Sequence, residues 1–167
     1  MHYKRLFPLL LVMILVAGCV DSGKQKSLDR LESERLADIN RGRYMVEIMG
    51  CNDCHTSGTI GGASTIPEED WLLGSDRGFH GPWGTAYPTN LRLLLNAMTE
   101  DEWLVLARKM RSNSPMAWSW LPKATEQDLR AMYRFVKFLG PKGVPAPERL
   151  PAGVRPTTPY IEFPLPH

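Results

Sequence analysis

The sequence has few cysteines, no large excess of charge of one sign and no apolar run long enough to span a membrane. Its 167 residues include 3 Cys, with 20 Lys and Arg against 18 Asp and Glu. Three thiols cannot all pair in disulfides, and the near balance of charge argues against a protein that coats nucleic acid. With 43% apolar residues, the composition is that of one globular domain rather than a disordered chain.

A short apolar run near the N-terminus predicts an export signal. Lys4 and Arg5 precede residues 6–17, which are apolar and interrupted only by Pro8. Spanning a bilayer takes about 20 apolar residues, whereas a positive end followed by a shorter apolar stretch is typical of a secretory signal. The run ends in the sequence LVAGC at residues 15–19, which resembles a bacterial lipoprotein box.

The lipoprotein resemblance implies that residues 1–18 are removed and that Cys19 carries the lipid. Two or three acyl chains would anchor the protein stably to a membrane, on the periplasmic or cell-surface side, with residues 19–27 as a polar spacer. An uncleaved signal anchor and a plain secretory peptide are the alternatives. Residues 1–18 hold two of the 20 cations and no acid, which leaves 18 charges of each sign. The slight basicity therefore belongs to the signal.

The other two cysteines lie in one motif, Cys51-Asn52-Asp53-Cys54-His55. C-x-x-C-H is the attachment motif of c-type haem. Thiols three residues apart on a helical turn reach the two vinyl groups of a porphyrin, and the next residue, a histidine, faces the iron. A zinc site would need four ligands, and the chain has no second cysteine pair. A thioredoxin-like dithiol would need a βαβ context, and a disulfide here would close a very short loop. We predict one covalently attached haem c.

Around this motif the chain resembles the bacterial class I cytochrome c family, over residues 37–140. The sequence RGRYMVEIMG at 41–50 is similar to the N-terminal helix of that family, GPWGTAYPTNL at 81–91 to its haem-pocket loop, and DLRAMY at 128–133 to its C-terminal helix. The resemblance implies an all-α cytochrome c fold for a domain at 28–140. In that fold the N- and C-terminal helices cross around one covalently attached haem, among long glycine-rich loops.

The resemblance also implies a methionine as the second iron ligand, from a loop before the last helix. Met98 directly precedes Thr99, the predicted N-cap of a helix, Met110 falls inside that helix, and Met132 lies on the apolar stripe of the last helix, where core packing is expected. Met116, in the loop sequence SNSPMAW, is the predicted ligand beside His55. The glycine-flanked His80 is the alternative ligand, and a solvated loop histidine is the expectation for it.

Two helices are predicted to flank the motif. Residues 28–49 are helical in character, with an interruption expected near Gly42. The last helix should begin at the N-cap Thr125 and end at Gly140. Its apolar stripe is expected to pack in the core and comprises Leu129, Met132, Tyr133, Val136 and Leu139.

The glycine-rich middle and the proline-rich tail carry further expectations. Residues 56–90 contain seven of the 14 glycines and no helix or strand period. Within and just after them, Trp83, Tyr87 and Arg92 could reach haem propionates, whose buried charges need donors; generic core packing is the alternative. The tail 141–167 contains eight of the 14 prolines and should be extended. Its apolar residues Tyr160, Ile161 and Phe163 either pack back on the domain, which we expect, or dock on a partner.

These features together predict a one-electron carrier rather than an enzyme. With histidine and methionine on the iron, no position is open for a substrate. The expected partners are other redox proteins, such as a dehydrogenase, an oxidase or another cytochrome, together with the membrane, and not nucleic acid. The alternative is a haem-based gas sensor or a peroxidase-like enzyme with a labile distal ligand. Only one C-x-x-C-H motif occurs, which argues against a di-haem peroxidase.

Overall fold

The structure, a computed structural model, describes residues 7–59, 66–110 and 120–163, with side chains from Ser22 onward. The chain divides into two compact units, Met1–Ala37 and Asp38–His167. The described part of the first unit is helical and belongs to helix α1, Phe7–Ile48. Exposed pairs such as Arg30–Glu34, at 2.8 Å, support this helix at a spacing of four residues. None of the described helices is long and apolar enough to cross a membrane.

The second unit is built around an apolar helical core. Besides the end of α1, its helices are α2 at Cys51–His55, α3 at Leu91–Asn96, α4 at Glu100–Lys109 and α5 at Glu126–Leu139, with 3₁₀ turns at Glu68–Asp70 and Leu121–Lys123. The buried core side chains come mainly from α1, α3, α4, α5 and the Leu121–Lys123 turn and include Ile39, Val46, Leu95, Trp103, Leu121, Leu129, Met132, Phe135 and Val136. Cys51 of α2 packs against this core from its edge.

Helix α1 continues through Gly42, so the predicted interruption there is wrong. A Cβ atom at Gly42 would overlap the carbonyl of Ala131 in α5. The glycine is therefore explained by the close approach of another helix and not by a break. Beside it, Arg41 of α1 pairs with Asp128 of α5 at 2.8 Å, which joins the two helices on the same side.

Capping side chains define the ends of α4 and α5, and both predicted N-caps are confirmed. Thr99 accepts a hydrogen bond from the Glu102 amide, while the Glu102 carboxylate accepts one from the Thr99 amide, which forms a capping box. Thr125 caps α5 in the same way, by accepting from the amide of Asp128. Gly140 ends α5 with a φ of 71°, a conformation that glycine adopts without strain.

A three-stranded sheet lies outside the helical core, in the order β2-β1-β3. Strand β1, Gly78–Gly81, pairs antiparallel with β2, Gly84–Ala86, across a two-residue turn. Strand β3, Tyr160–Glu162, comes from the C-terminal tail and pairs parallel with β1. The expectation that residues 160–163 pack back on the domain is thus confirmed.

The sheet makes the prediction of an all-α cytochrome c fold wrong, because the described residues form a mixed structure. The strands are only three or four residues long, too short for an alternating pattern to be recognised in a glycine-rich segment. One pairing partner is also far away in the chain. The tail can approach β2 because Gly84 has no side chain. A Cβ atom at this position would overlap the carbonyl of Leu150.

Candidate cofactor site

The two cysteines of the motif lie on one short helical turn. Gly50 precedes α2 in a left-handed conformation, with φ 67°, and redirects the chain after α1. Both thiols, Cys51 and Cys54, are free. Burial raises the pKa of Cys51 to about 12, and the pKa of Cys54 is raised as well, first by burial and then by the charge of Asp53. Both groups are therefore thiols at neutral pH, unlike the activated thiolate of a redox dithiol.

His55 is buried, with 8% of its surface exposed, and its ring is held by one hydrogen bond. Its Nδ1 lies 2.7 Å from the carbonyl oxygen of Thr89. A carbonyl only accepts, so Nδ1 carries the proton and Nε2 keeps its lone pair. Burial also lowers the pKa of His55, against a smaller opposing effect of the Thr89 bond, which favours the neutral ring. This is the arrangement of a metal-ligating histidine, whose second nitrogen is fixed by a carbonyl or carboxylate.

Buried polar contacts connect α2 to the loop before α3. The hydroxyl of Thr56 donates to the Asn52 side chain at 2.8 Å and accepts from the amide of Leu72 at 2.8 Å. Leu72 has a φ of 63°, an unusual conformation for a bulky residue. Its carbonyl accepts from the amide of Leu91 at 3.0 Å, at the start of α3. The chain that follows the Thr89 carbonyl is thereby connected to the end of α2 through Leu72.

Trp83 and Tyr87 lie with the sheet and the C-terminal tail. The Trp83 Nε1 donates to the carbonyl of Phe79 at 3.2 Å, and its ring packs against Phe163 with a centroid distance of 5.7 Å. The Tyr87 hydroxyl shares a hydrogen bond with Thr158 at 3.0 Å. Their contact with haem propionates stays a prediction.

Arg92 is 4% exposed, and its guanidinium binds backbone carbonyls at the C-terminal end of α5. Its Nε donates to the carbonyl of Gly140 at 2.6 Å, Nη2 donates to the carbonyl of Leu139, and Nη1 donates to the carbonyl of Glu69 at 2.7 Å. Burial lowers the pKa of Arg92, and the charge of Asp70 opposes that shift. The guanidinium thus caps a helix C-terminus, a role that sequence reasoning missed; its contact with a propionate stays a prediction.

The rival ligand His80 lies in β1 and is buried, so the expectation of a solvated loop histidine is wrong. Its Nδ1 lies 2.8 Å from the hydroxyl of Thr85, its Nε2 3.9 Å from a carboxylate oxygen of Glu162, and its ring packs edge-on to Tyr160. Both nitrogens of His80 therefore face groups of the sheet and the tail.

The remaining methionines considered as ligands, and the predicted lipid-bearing cysteine, lie in different parts of the chain. Met116 lies outside the described residues, and so does the side chain of Cys19. Met132 is buried in the core, as expected, and Met110 follows the last residue of α4 rather than lying inside the helix. Within the described ranges no three His, Cys, Asp or Glu side chains converge on a point that could hold a metal ion.

Sequence reasoning missed the groups that surround His55. The Thr89 carbonyl gives no signal, because every residue has one. Asn90 could have been found as an N-cap, since it directly precedes the apolar sequence of α3 and its side chain accepts from the Leu93 amide.

Comparison with known proteins adds no relative: no family model, no curated protein and no solved structure matches the chain.

Proposed function

We propose that this protein carries one covalently attached haem c and transfers single electrons between redox proteins. The observation that carries the proposal is the state of the C-x-x-C-H turn. Two free thiols lie on α2. The histidine that follows them donates a hydrogen bond from Nδ1 to the Thr89 carbonyl, which leaves the lone pair of Nε2 to bind a metal ion. These residues fit the group that the motif implies.

Each residue has a distinct role in this proposal. Cys51 and Cys54 would hold the porphyrin through thioethers, and His55 and Met116 would bind its iron. The haem supplies an iron that is stable as both ferric and ferrous ion. The chain keeps His55 neutral and fixed in orientation, because the ring is buried and its Nδ1 is bound to a carbonyl. A fixed ligand set suits electron transfer, since little has to rearrange when the charge changes.

The proposed location follows from the first residues of the chain. Cleavage before Cys19 and lipidation of its thiol would tie the protein to the outer face of a bacterial membrane. Electron donors and acceptors would then be redox proteins at that surface, such as a dehydrogenase, an oxidase or another cytochrome.

Absorption spectra of the purified full-length protein test the electron-carrier proposal. The ferric protein should show the weak far-red iron–sulfur band, and the band should be lost in Met116→Ala. Met110→Ala is the matched control, because Met110 is the nearest other methionine in the chain, and its loss should leave the band unchanged. A protein without covalent haem, or a reduced protein that readily binds carbon monoxide, would contradict the proposal.

A separate experiment tests the anchor. Cys19→Ser should move the protein from the membrane fraction to the soluble fraction with its haem spectrum unchanged. Retention of this variant in the membrane would show that the lipid is not what holds the protein.

A further inference from the structure

One buried amide side chain holds the loop that presents the Thr89 carbonyl. Asn90 is 1% exposed. Its Nδ2 donates to the carbonyls of Lys142, at 2.9 Å, and Val144, at 3.1 Å, which lie 52 and 54 residues later in the chain. Its Oδ1 accepts from the amide of Leu93 at 3.0 Å and caps α3. The amide therefore joins this loop to the segment that leaves α5.

The backbone of His55 is tied to the same loop. The amide of Gly74 donates to the His55 carbonyl at 2.7 Å. Gly74 in turn lies directly against Asn90, since a Cβ atom on Gly74 would come within 2.8 Å of the backbone nitrogen of Asn90. The main chain of His55 thus reaches Asn90 through Gly74, and the ring of His55 reaches its neighbour Thr89 through Nδ1.

We propose that Asn90 is a positioning residue for His55. By holding two carbonyls beyond the end of α5, its amide fixes the place of the Thr89 carbonyl and so the strength of the His55 Nδ1–H bond. The inference rests on the proposed function, in which His55 binds iron. A histidine that donates strongly through its second nitrogen is the more basic ligand, and a more basic ligand favours ferric iron. Loosening the Asn90 contacts should therefore raise the reduction potential.

Asn90→Ser separates positioning from helix capping. Serine caps a helix about as well as asparagine and is also neutral, but its side chain is too short to reach the carbonyls of Lys142 and Val144. The matched control is Asn96→Ser on the same helix. The Asn96 amide donates to the Arg92 carbonyl at 2.7 Å, within α3 itself.

Gly143→Ala tests the same contact from the other side. Gly143 has a φ of 80°, and a Cβ atom there would come within 3.1 Å of the Asn90 Nδ2. Gly153→Ala is the control, because Gly153 has a φ of 82° with nothing within 4 Å of the added Cβ. The two variants share the backbone strain. They differ in the close contact with Asn90, beside which Gly143→Ala adds only an ordinary van der Waals contact with Leu73 at 3.5 Å.

Hydrogen exchange at the His55 Nδ1–H, followed by NMR on the full chain, is the primary measurement. The Trp103 Nε1–H, which donates to the Leu129 carbonyl at 2.8 Å in the helical core, serves as the internal reference for global opening. In Asn90→Ser and Gly143→Ala, exchange at His55 should increase several-fold more than at Trp103. The ferric–ferrous equilibrium should shift toward ferrous by roughly three- to tenfold, where tenfold corresponds to about 59 mV.

Parallel increases at His55 and Trp103, with the potential unchanged, would overturn the inference and leave Asn90 as a cap alone. So would equal effects in the two control variants. Failure of the proposed function is a different result: the chain would be purified without covalent haem. Exchange at His55 in that chain would still decide whether Asn90 positions the ring.

Discussion

The helical core and the surroundings of His55 belong to the same compact unit and are held together by different interactions. In the core, apolar side chains such as Phe135, Leu129 and Val46 are almost completely buried against one another. Around His55 several of the buried side chains are polar, and Thr56, Asn90 and Arg92 form hydrogen bonds to backbone groups distant in the chain.

The difference indicates which part tolerates change. Apolar packing is non-directional, so a core substitution costs stability according to the apolar group removed and the cavity left behind. Buried polar groups depend on specific partners, and losing one leaves the other unsatisfied. Core variants should therefore change stability while leaving the His55 bond intact, whereas variants near His55 should alter that bond at a smaller cost in stability.

The largest effect is expected for Phe135→Ala. Phe135 is 0% exposed and meets Trp71 edge-on with a centroid distance of 6.3 Å. Truncation of a buried phenylalanine costs about 3–5 kcal/mol, which denaturant titration would measure. Phe138→Ala is the control on the same helix, because Phe138 is 50% exposed and should cost much less. Equal losses in the two variants would contradict this account of the core.

Gly42→Ala tests the contact between α1 and α5. Overpacking typically costs about 1–3 kcal/mol, and here the added Cβ would overlap a backbone carbonyl that cannot rotate away. The same change at Gly23, where nothing lies within 4 Å, should stabilise the helix by up to about 1 kcal/mol. Thermal unfolding of both variants measures the difference. A stabilising effect at Gly42 would mean that the helices can separate freely.

The helical core also shows how much of the fold could be predicted from the sequence. Periodic apolar residues and capping residues signal helices locally, so the N-caps Thr99 and Thr125 and the core position of Met132 were predictable. Gly42 was misinterpreted, because a glycine required for close helix contact looks in the sequence like one that interrupts a helix.

The sheet and the surroundings of His55 were less accessible to prediction. Strand β3 pairs with β1 across about eighty residues, and no local pattern indicates such a partner. The motif at Cys51–His55 could be found because its spacing is local. The Thr89 carbonyl and the bonds of Asn90 could not, since they arise only when distant backbone segments come together.

Arg92→Lys addresses the polar region directly. A lysine has one ammonium group and cannot bond all three carbonyls that the guanidinium reaches at Glu69, Leu139 and Gly140. We expect the free energy of unfolding to fall by about 1–2 kcal/mol. Hydrogen exchange should increase more at the His55 Nδ1–H than at the Trp103 Nε1–H. The control is Arg77→Lys, at an exposed position. If the His55 exchange rate follows that of Trp103, the two regions do not differ as described.

The smallest effect is expected from a polar contact inside the helical part, at Asp128. Hydrogen bonds from Arg41 and from the Thr125 hydroxyl hold the pKa of Asp128 below its ordinary value. A carboxylate with a lowered folded-state pKa contributes stability above its unfolded pKa, near 4, and loses it as the pH falls through the folded value. Wild-type protein should thus exceed Asp128→Asn in stability at pH 7.

The pH dependence distinguishes this ion pair from the apolar core. Denaturation midpoints of wild type and Asp128→Asn should converge as the pH falls below about 4. The deficit of Phe135→Ala should stay nearly constant, because the phenyl ring has no titratable group. Arg41 is half exposed, at 49% of its side-chain surface, so added salt should also reduce the Asp128 contribution. A deficit in Asp128→Asn that is independent of both pH and salt would show that the residue acts through packing and helix capping rather than through its charge.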